Sequence, residues 1–315
     1  MEQRKLGDSG LTVAPLALGG NVFGWTADEA TSFSIIDAFV DQGFNLIDTA
    51  DVYSIWVEGH QGGESETIIG KWLQRGGDRG KILIATKVGM DMKSGGKGLS
   101  KSHIIQSAEA SLRRLQTDHI DLYQAHADDV WTPLEETLEA FASLVQAGKV
   151  RAIGASNYVA SRLTDALAVS KAKGLPRYTS LQPHYNLAYR ALFEGELQKF
   201  CIAEGIGVIP YYALAAGFLT GKYRKLEDIE GKSRGKTVAH YLDPRGFDIL
   251  AALDKVAARY SATPAQIALA WLIAQPGVTA PIVSATSVAQ FDEIAKAASI
   301  KLDAAALDRL DKVSA

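Results

Sequence analysis

Short apolar runs alternate with helical stretches eight times along this chain, and that alternation limits its fold more than any other feature. The runs cover residues 16–20, 44–47, 82–86, 120–123, 150–154, 179–182, 207–211 and 278–283, each with the look of a buried strand. Helical spacing falls between them at 28–42, 65–73, 102–115, 134–146, 160–173, 192–203, 248–260, 264–274 and 288–298, with a last helix at 304–312. Thr263 reads as an N-cap with Pro264 at the first helical position. Strands separated by helices run parallel, because the crossover is too long for a hairpin. Eight such units, with no linker and no compositional break, predict a single (β/α)8 barrel spanning 1–315 rather than an open doubly wound sheet. Ahead of the barrel, residues 6–11 read as the tight turn of a small β-hairpin. After the seventh strand the pattern breaks into a long Gly- and Lys-rich loop, 214–243, of a length that usually has a job or is disordered.

Several function classes drop out. The first strand ends in Leu18-Gly19-Gly20-Asn21-Val22-Phe23-Gly24, without the glycine spacing of a dinucleotide-binding turn, and no P-loop follows any strand. A net charge of −3 gives no footprint for nucleic acid. The single cysteine, Cys201, cannot form an internal disulfide, and no signal peptide or membrane-length apolar run is visible, so a cytoplasmic protein that avoids membranes is expected. The six histidines show no paired ligand spacing, which predicts no metal site.

Three consecutive strands end alike. The second runs into Asp48, with Tyr53 in the next loop; the third runs into Lys87; the fourth runs into His126. In a barrel these ends share the C-terminal rim, where active sites sit. The residues around them resemble the aldo-keto reductase superfamily from end to end. The resemblance rests on Asn45-Leu46-Ile47-Asp48-Thr49-Ala50-Asp51-Val52-Tyr53, on Ala85-Thr86-Lys87 and on Asp121-Leu122-Tyr123-Gln124-Ala125-His126. It rests also on 148–157, which runs from Gly148-Lys149-Val150 to Ser156-Asn157, and on Gly217-Phe218-Leu219-Thr220-Gly221-Lys222-Tyr223. The long loop after the seventh strand is similar to that of the bacterial branch that also holds the potassium-channel β subunits.

The chemistry of the residues agrees. Carbonyl reduction needs hydride at carbon and a proton at oxygen. Tyr53 is a candidate acid, and free tyrosine has a pKa of about 10. A nearby ammonium, Lys87, is expected to lower it, with Asp48 keeping Lys87 charged and oriented. His126 is placed to hydrogen-bond the carbonyl oxygen. The resemblance implies the same four residues as a catalytic tetrad.

It also implies NADP(H) as coenzyme, with NAD(H) possible. Gly20 and Asp48 are candidate coenzyme-binding residues, and Ser156, Asn157 and Gln182 fall at the nicotinamide end, where Tyr211 stacks on the ring. Leu214, Gly217 and Lys222 match the segment around the pyrophosphate. Ser284, Thr286, Ser287, Gln290 and Glu293 match the adenosine-phosphate end, at a helix start that offers free amides. Many relatives carry Lys or Arg where this chain has Thr286 and Ser287, and Asn where it has Ile294, which weakens the expected preference for a 2′-phosphate. Tyr212-Ala213 replaces the usual Ser-Pro after Tyr211. Phe23, Trp25, Trp56 and Trp131 are candidates to line an apolar mouth for a small carbonyl substrate. Three activities stay open: an NADP(H)-dependent reductase of aldehydes and ketones, or the same chemistry in reverse as an NAD-dependent aldose or alcohol dehydrogenase; a coenzyme-holding redox-sensing module; and an aldolase using Lys87 as a Schiff base. Asp48 speaks against the last, since a Schiff-base lysine needs a lowered pKa. Oligomeric state cannot be read from the sequence.

Overall fold

The computed structural model describes residues 2–93 and 96–315. Two short antiparallel strands, β1 (Arg4–Lys5) and β2 (Thr12–Val13), form the expected hairpin. Eight parallel strands follow: β3 (Ala17–Gly19), β4 (Leu46–Asp48), β5 (Leu83–Val88), β6 (Ile120–Ala125), β7 (Val150–Ser156), β8 (Tyr178–Gln182), β9 (Gly207–Val208) and β10 (Ile282–Val283). Their order is sequential, with β10 pairing back onto β3. The remaining seam closes through Thr279 N donating to Val208 O at 2.7 Å and Ile282 N donating to Pro210 O at 2.9 Å. The (β/α)8 barrel is therefore complete.

Strand alternation sorts the side chains into two cores. Outward-facing Ile47, Ile84, Tyr123, Ile153 and Leu181 pack under the helices. Inward-facing Ala17, Leu46, Ala85, Leu122 and Ala152 fill the lower barrel, and Leu6, Leu11 and Val13 of the hairpin plug its floor. Two residues further along three of these inward faces stand Asp48, Lys87 and Gln124, with Gln182 at the end of β8, all buried. The same period of two that seals the bottom with hydrocarbon thus delivers polar groups to the top.

The helices are α1 (Glu29–Asp41), α2 (Glu64–Gln74), α3 (Lys101–Leu115), α4 (Leu134–Gln146), α5 (Ala160–Lys173), α6 (Glu196–Ala203), α7 (Gly235–Ala239), α8 (Pro244–Tyr260), α9 (Pro264–Ala274), α10 (Val288–Ala295) and α11 (Ala304–Ser314). The capping box at Thr263 and Gln266 opens α9 as expected. Other boundaries move. The helix expected from 192 begins at Glu196, because Gly195 sits at φ 92°, ψ −117°, outside helical space. The one expected from 248 begins at Pro244, where Asp243 caps the Gly246 amide at 2.6 Å. Strand β9 is shortened to two residues, since Pro210 has no amide to give the ladder. Segment 214–243 is not a bare loop. It folds into 3-10 turns at Ala215–Thr220 and Leu226–Ile229 and into α7, held down by buried Phe218, Leu219, Tyr223 and Val238. Among the described residues no helix is long and apolar enough to cross a membrane.

Candidate active site

The end of β4 places Asp48 beside β5, in register with Ala85, two residues before Lys87. Lys87 is fully buried, and its ammonium donates three ways: to Asp48 Oδ2 at 2.7 Å, to the Thr49 carbonyl at 2.8 Å and to Tyr53 Oη at 3.2 Å. Burial alone works against the charge on Lys87, but the Asp48 carboxylate, with the hydrogen bonds to Asp48 and Tyr53, outweighs it and leaves the lysine more basic than usual. Asp48 is held in turn by Gln182 Nε2 at 2.8 Å and by Gln124 Nε2 at 3.5 Å.

Tyr53 departs from the sequence expectation. Burial raises its pKa, and the Lys87 ammonium pulls it down by less, so the phenol sits above its ordinary value. Tyr53 is therefore a protonated donor with a cation ready at its oxygen. His126 faces it with ring centroids 5.9 Å apart. First burial and then the Lys87 charge hold His126 well below the usual imidazole range, so it is neutral near pH 7. Its Nδ1 is buried without a hydrogen-bond partner among the described residues.

A second layer adjoins this one. Asn157, at a left-handed φ of 59°, donates to the His126 carbonyl at 2.9 Å and to Ser156 Oγ at 3.1 Å, and accepts from Tyr211 Oη at 2.9 Å. Ser156 Oγ donates to the Gln182 carbonyl at 2.9 Å. Gly20 lies where a Cβ would meet Ser65 Oγ at 2.7 Å, so the backbone there has no room for a side chain. Beyond Tyr211 the chain turns through left-handed Tyr212, Ala215, Ala216 and Gly217, the first three at a steric cost that only surrounding structure sustains. Leu214 accepts from the amides of Gly217 and Leu219 at the head of this turn, and Lys222 ends it exposed over the Tyr223 ring.

The third group gathers at the end of β10. Ser284 Oγ bonds Asn21 Oδ1 at 2.5 Å. Ser287 caps α10 by accepting from the Gln290 amide at 3.2 Å, while Gln290 Oε1 accepts from both the amide and the hydroxyl of Thr286. Glu293 is exposed on the same helix.

Of the expected mouth residues, Trp25 and Trp56 join the site: Trp56 lies 5.7 Å from both Trp25 and Tyr53, edge-on to each. Phe23 does not, being fully buried in the outer core, and Trp131 stands 93% exposed in solvent. Both come from loops after the right strands, but loop position alone does not set which way a side chain turns. Sequence reasoning passed over Gln124, although it lies on β6 two residues before His126, which directly follows the strand. It also passed over Arg234, whose guanidinium stacks 5.7 Å over Trp25. Among the described residues no cluster of three His, Cys, Asp or Glu side chains is arranged to hold a metal.

The arrangement is a buried ammonium between a carboxylate and a phenol, with a neutral imidazole opposite, at the open end of a barrel. The profile of the Aldo/keto reductase family matches residues 15–315. The protein named "Uncharacterized oxidoreductase YrpG" of Bacillus subtilis is 37% identical over 324 residues, covering 99% of this chain and 96% of that one. "Aldo-keto reductase YhdN" of the same organism is 35% identical, over 94% and 88% of the two chains. A "Probable voltage-gated potassium channel subunit beta" of Arabidopsis thaliana is 32% identical, over 99% and 96%. The chain belongs to the aldo/keto reductase family and is an oxidoreductase.

Proposed function

We propose that the protein reduces aldehydes and ketones to alcohols with NADPH, Tyr53 supplying the proton. The proposal rests on one set of contacts: the buried Lys87 ammonium shared by Asp48 and Tyr53 Oη. Aldo/keto reductases use nicotinamide coenzymes, and the residues present fit one. The crowded Gly20 backbone, the polar edge of Ser156, Asn157 and Tyr211, and the open amides at the start of α10 would hold it. When bound, the coenzyme supplies hydride to the carbonyl carbon.

The chain's own residues handle the oxygen. Neutral His126 donates a hydrogen bond to it and fixes the carbonyl beside Tyr53. As the C–H bond forms, negative charge builds on that oxygen and the Tyr53 O–H transfers its proton there. The phenolate left behind faces the Lys87 ammonium, 3.2 Å away, in a site where charges interact strongly. Asp48 keeps Lys87 charged through the cycle. Burial alone makes Tyr53 a poor acid, so the ammonium is what brings its proton within reach. A lysine more basic than usual is a poor Schiff-base nucleophile, which disfavours an aldolase.

Ser287, Thr286 and the first amides of α10 are neutral donors to a 2′-phosphate. Each is worth about 0.5–1.5 kcal/mol, against about 1.5–3 for a charged partner. NADPH then stays preferred over NADH by a smaller margin than a cation would give. Purified protein is expected to oxidise NADPH across a panel of small aldehydes and ketones. Tight NADPH binding with no turnover on any of them would instead support a redox-sensing module, the alternative raised by the likeness to a channel β subunit.

A further inference from the structure

Behind the proton-donor couple lies a second set of ionisable side chains that the reduction does not use. Asp51 is 1% exposed and Glu66 fully buried. Glu66 is satisfied: it accepts from Thr86 Oγ1 at 2.5 Å and from Arg114 Nε at 2.7 Å. Asp51 is not. Among the described residues neither of its carboxyl oxygens makes a full hydrogen bond, and the adjacent Val52 amide gives it only a pull weaker than burial. The groups that face Asp51 are Glu66 from α2, Arg114 from α3, Lys87 from β5 and Tyr123 from β6. Two buried carboxyls therefore share one guanidinium, which is already committed to Glu66, while Lys87 is committed to Asp48 and Tyr53. An unpaired carboxylate in such a place is far costlier than a neutral acid.

We propose that Asp51 is a positioning residue that remains a neutral carboxylic acid while the enzyme works, and that its ionisation unseats Tyr53. The Asp51 amide donates to the Lys87 carbonyl at 3.3 Å, and the Tyr53 amide donates to the Ala50 carbonyl at 3.2 Å, so one tight turn carries both side chains. A charged Asp51 must draw Arg114 from Glu66 or Lys87 from its two partners, or push the turn toward water. Each of these moves the phenol relative to the ammonium. Burial, then the Glu66 charge, push Asp51 up to about 8, against the pull of Arg114, the Val52 amide and Lys87. Tyr53 and Lys87 both titrate above their ordinary values, which are near 10. A loss of turnover centred near pH 8 therefore belongs to neither of them. Its sign is fixed: the active form is protonated, so activity falls as pH rises.

The kinetic arm of the test rests on the reductase reading; the spectroscopic arm does not. Infrared spectra of the full-length protein at neutral pH are expected to show a protonated-carboxyl C=O band that is lost in Asp51→Asn and that bleaches in the wild type around pH 8. The wild-type kcat is expected to fall about tenfold per pH unit above that point, and Asp51→Asn, which mimics the neutral acid, to lack this limb. Glu66→Gln removes the like charge and should move both band and limb to lower pH, a check that holds even if Asp51→Asn folds poorly. Absence of an Asp51-dependent band at neutral pH would overturn the protonation claim. An alkaline limb that survives unchanged in Asp51→Asn, or that does not shift in Glu66→Gln, would overturn the positioning role.

Discussion

Removing Asp48 tests how the site is held together. Lys87 is fully buried and Asp48 nearly so, and in Asp48→Ala the ammonium keeps only the Thr49 carbonyl and the Tyr53 oxygen. Breaking a buried pair by removing one partner costs about 3–5 kcal/mol. The Gln182 amide, which also loses its acceptor, falls back on Gln124 Oε1 at 3.4 Å, so it adds little. A deficit of that size is a large fraction of an ordinary domain's total of about 5–15 kcal/mol. The pH dependence is specific. In the wild type the folded pKa of Lys87 is raised, so its contribution is complete below the unfolded value near 10.4 and is lost as pH rises through the folded one. In Asp48→Ala, burial has no opposing carboxylate, the folded pKa drops below 10.4, and stability rises with pH through that interval. The gap between the two proteins should thus narrow between about pH 7 and about pH 10. Urea unfolding of both proteins at the two pH values measures it. A deficit under about 1 kcal/mol at neutral pH, or one that widens toward alkaline pH, would refute the claim that Asp48 is what keeps Lys87 charged.

Three further outcomes follow from the geometry. Borohydride treatment with a carbonyl substrate should leave no adduct on Lys87, since a paired ammonium is a poor nucleophile; a substrate-sized mass increase mapped to Lys87 by peptide mass spectrometry would contradict this. Ser287→Arg should tighten NADPH several-fold to about tenfold and leave NADH nearly unchanged, in titrations at one fixed salt concentration; equal effects on both would mean that Ser287 does not face the 2′-phosphate. Trp56→Ala, which strips the edge-on contact with Tyr53, should raise KM for bulky aldehydes, whereas Trp131→Ala should leave kinetics unchanged because that side chain stands almost wholly in solvent; equal effects would place the substrate mouth elsewhere.

The barrel was legible because its signal is global. Eight apolar runs at helix-length spacing leave few topologies, and errors of several residues at helix starts near 195 and 244 leave the strand order untouched. The Asp48, Lys87 and His126 positions were legible for the same reason: each stands at the C-terminal end of a recognisable apolar strand. What stayed hidden depends on balance or direction. The pKa of Tyr53 is set by burial working against Lys87, and a sequence names both participants without saying which wins. Phe23 and Trp25 lie two residues apart, yet one turns into the core and the other toward the site. Asp51 stands within a recognisable motif, but only the folded chain shows its carboxyl buried and without a hydrogen-bond partner among the described residues.

The central claim is that Tyr53 delivers the proton while Lys87 steadies the phenolate. Single-turnover hydride transfer, followed by loss of NADPH absorbance in the wild type and in Tyr53→Phe, tests it most directly, with coenzyme affinity measured on the same samples. The ring is kept, so affinity should stay near wild type while the chemical step slows by about 10²–10⁴-fold. A Tyr53→Phe protein that binds NADPH normally and transfers hydride at close to the wild-type rate would contradict the account.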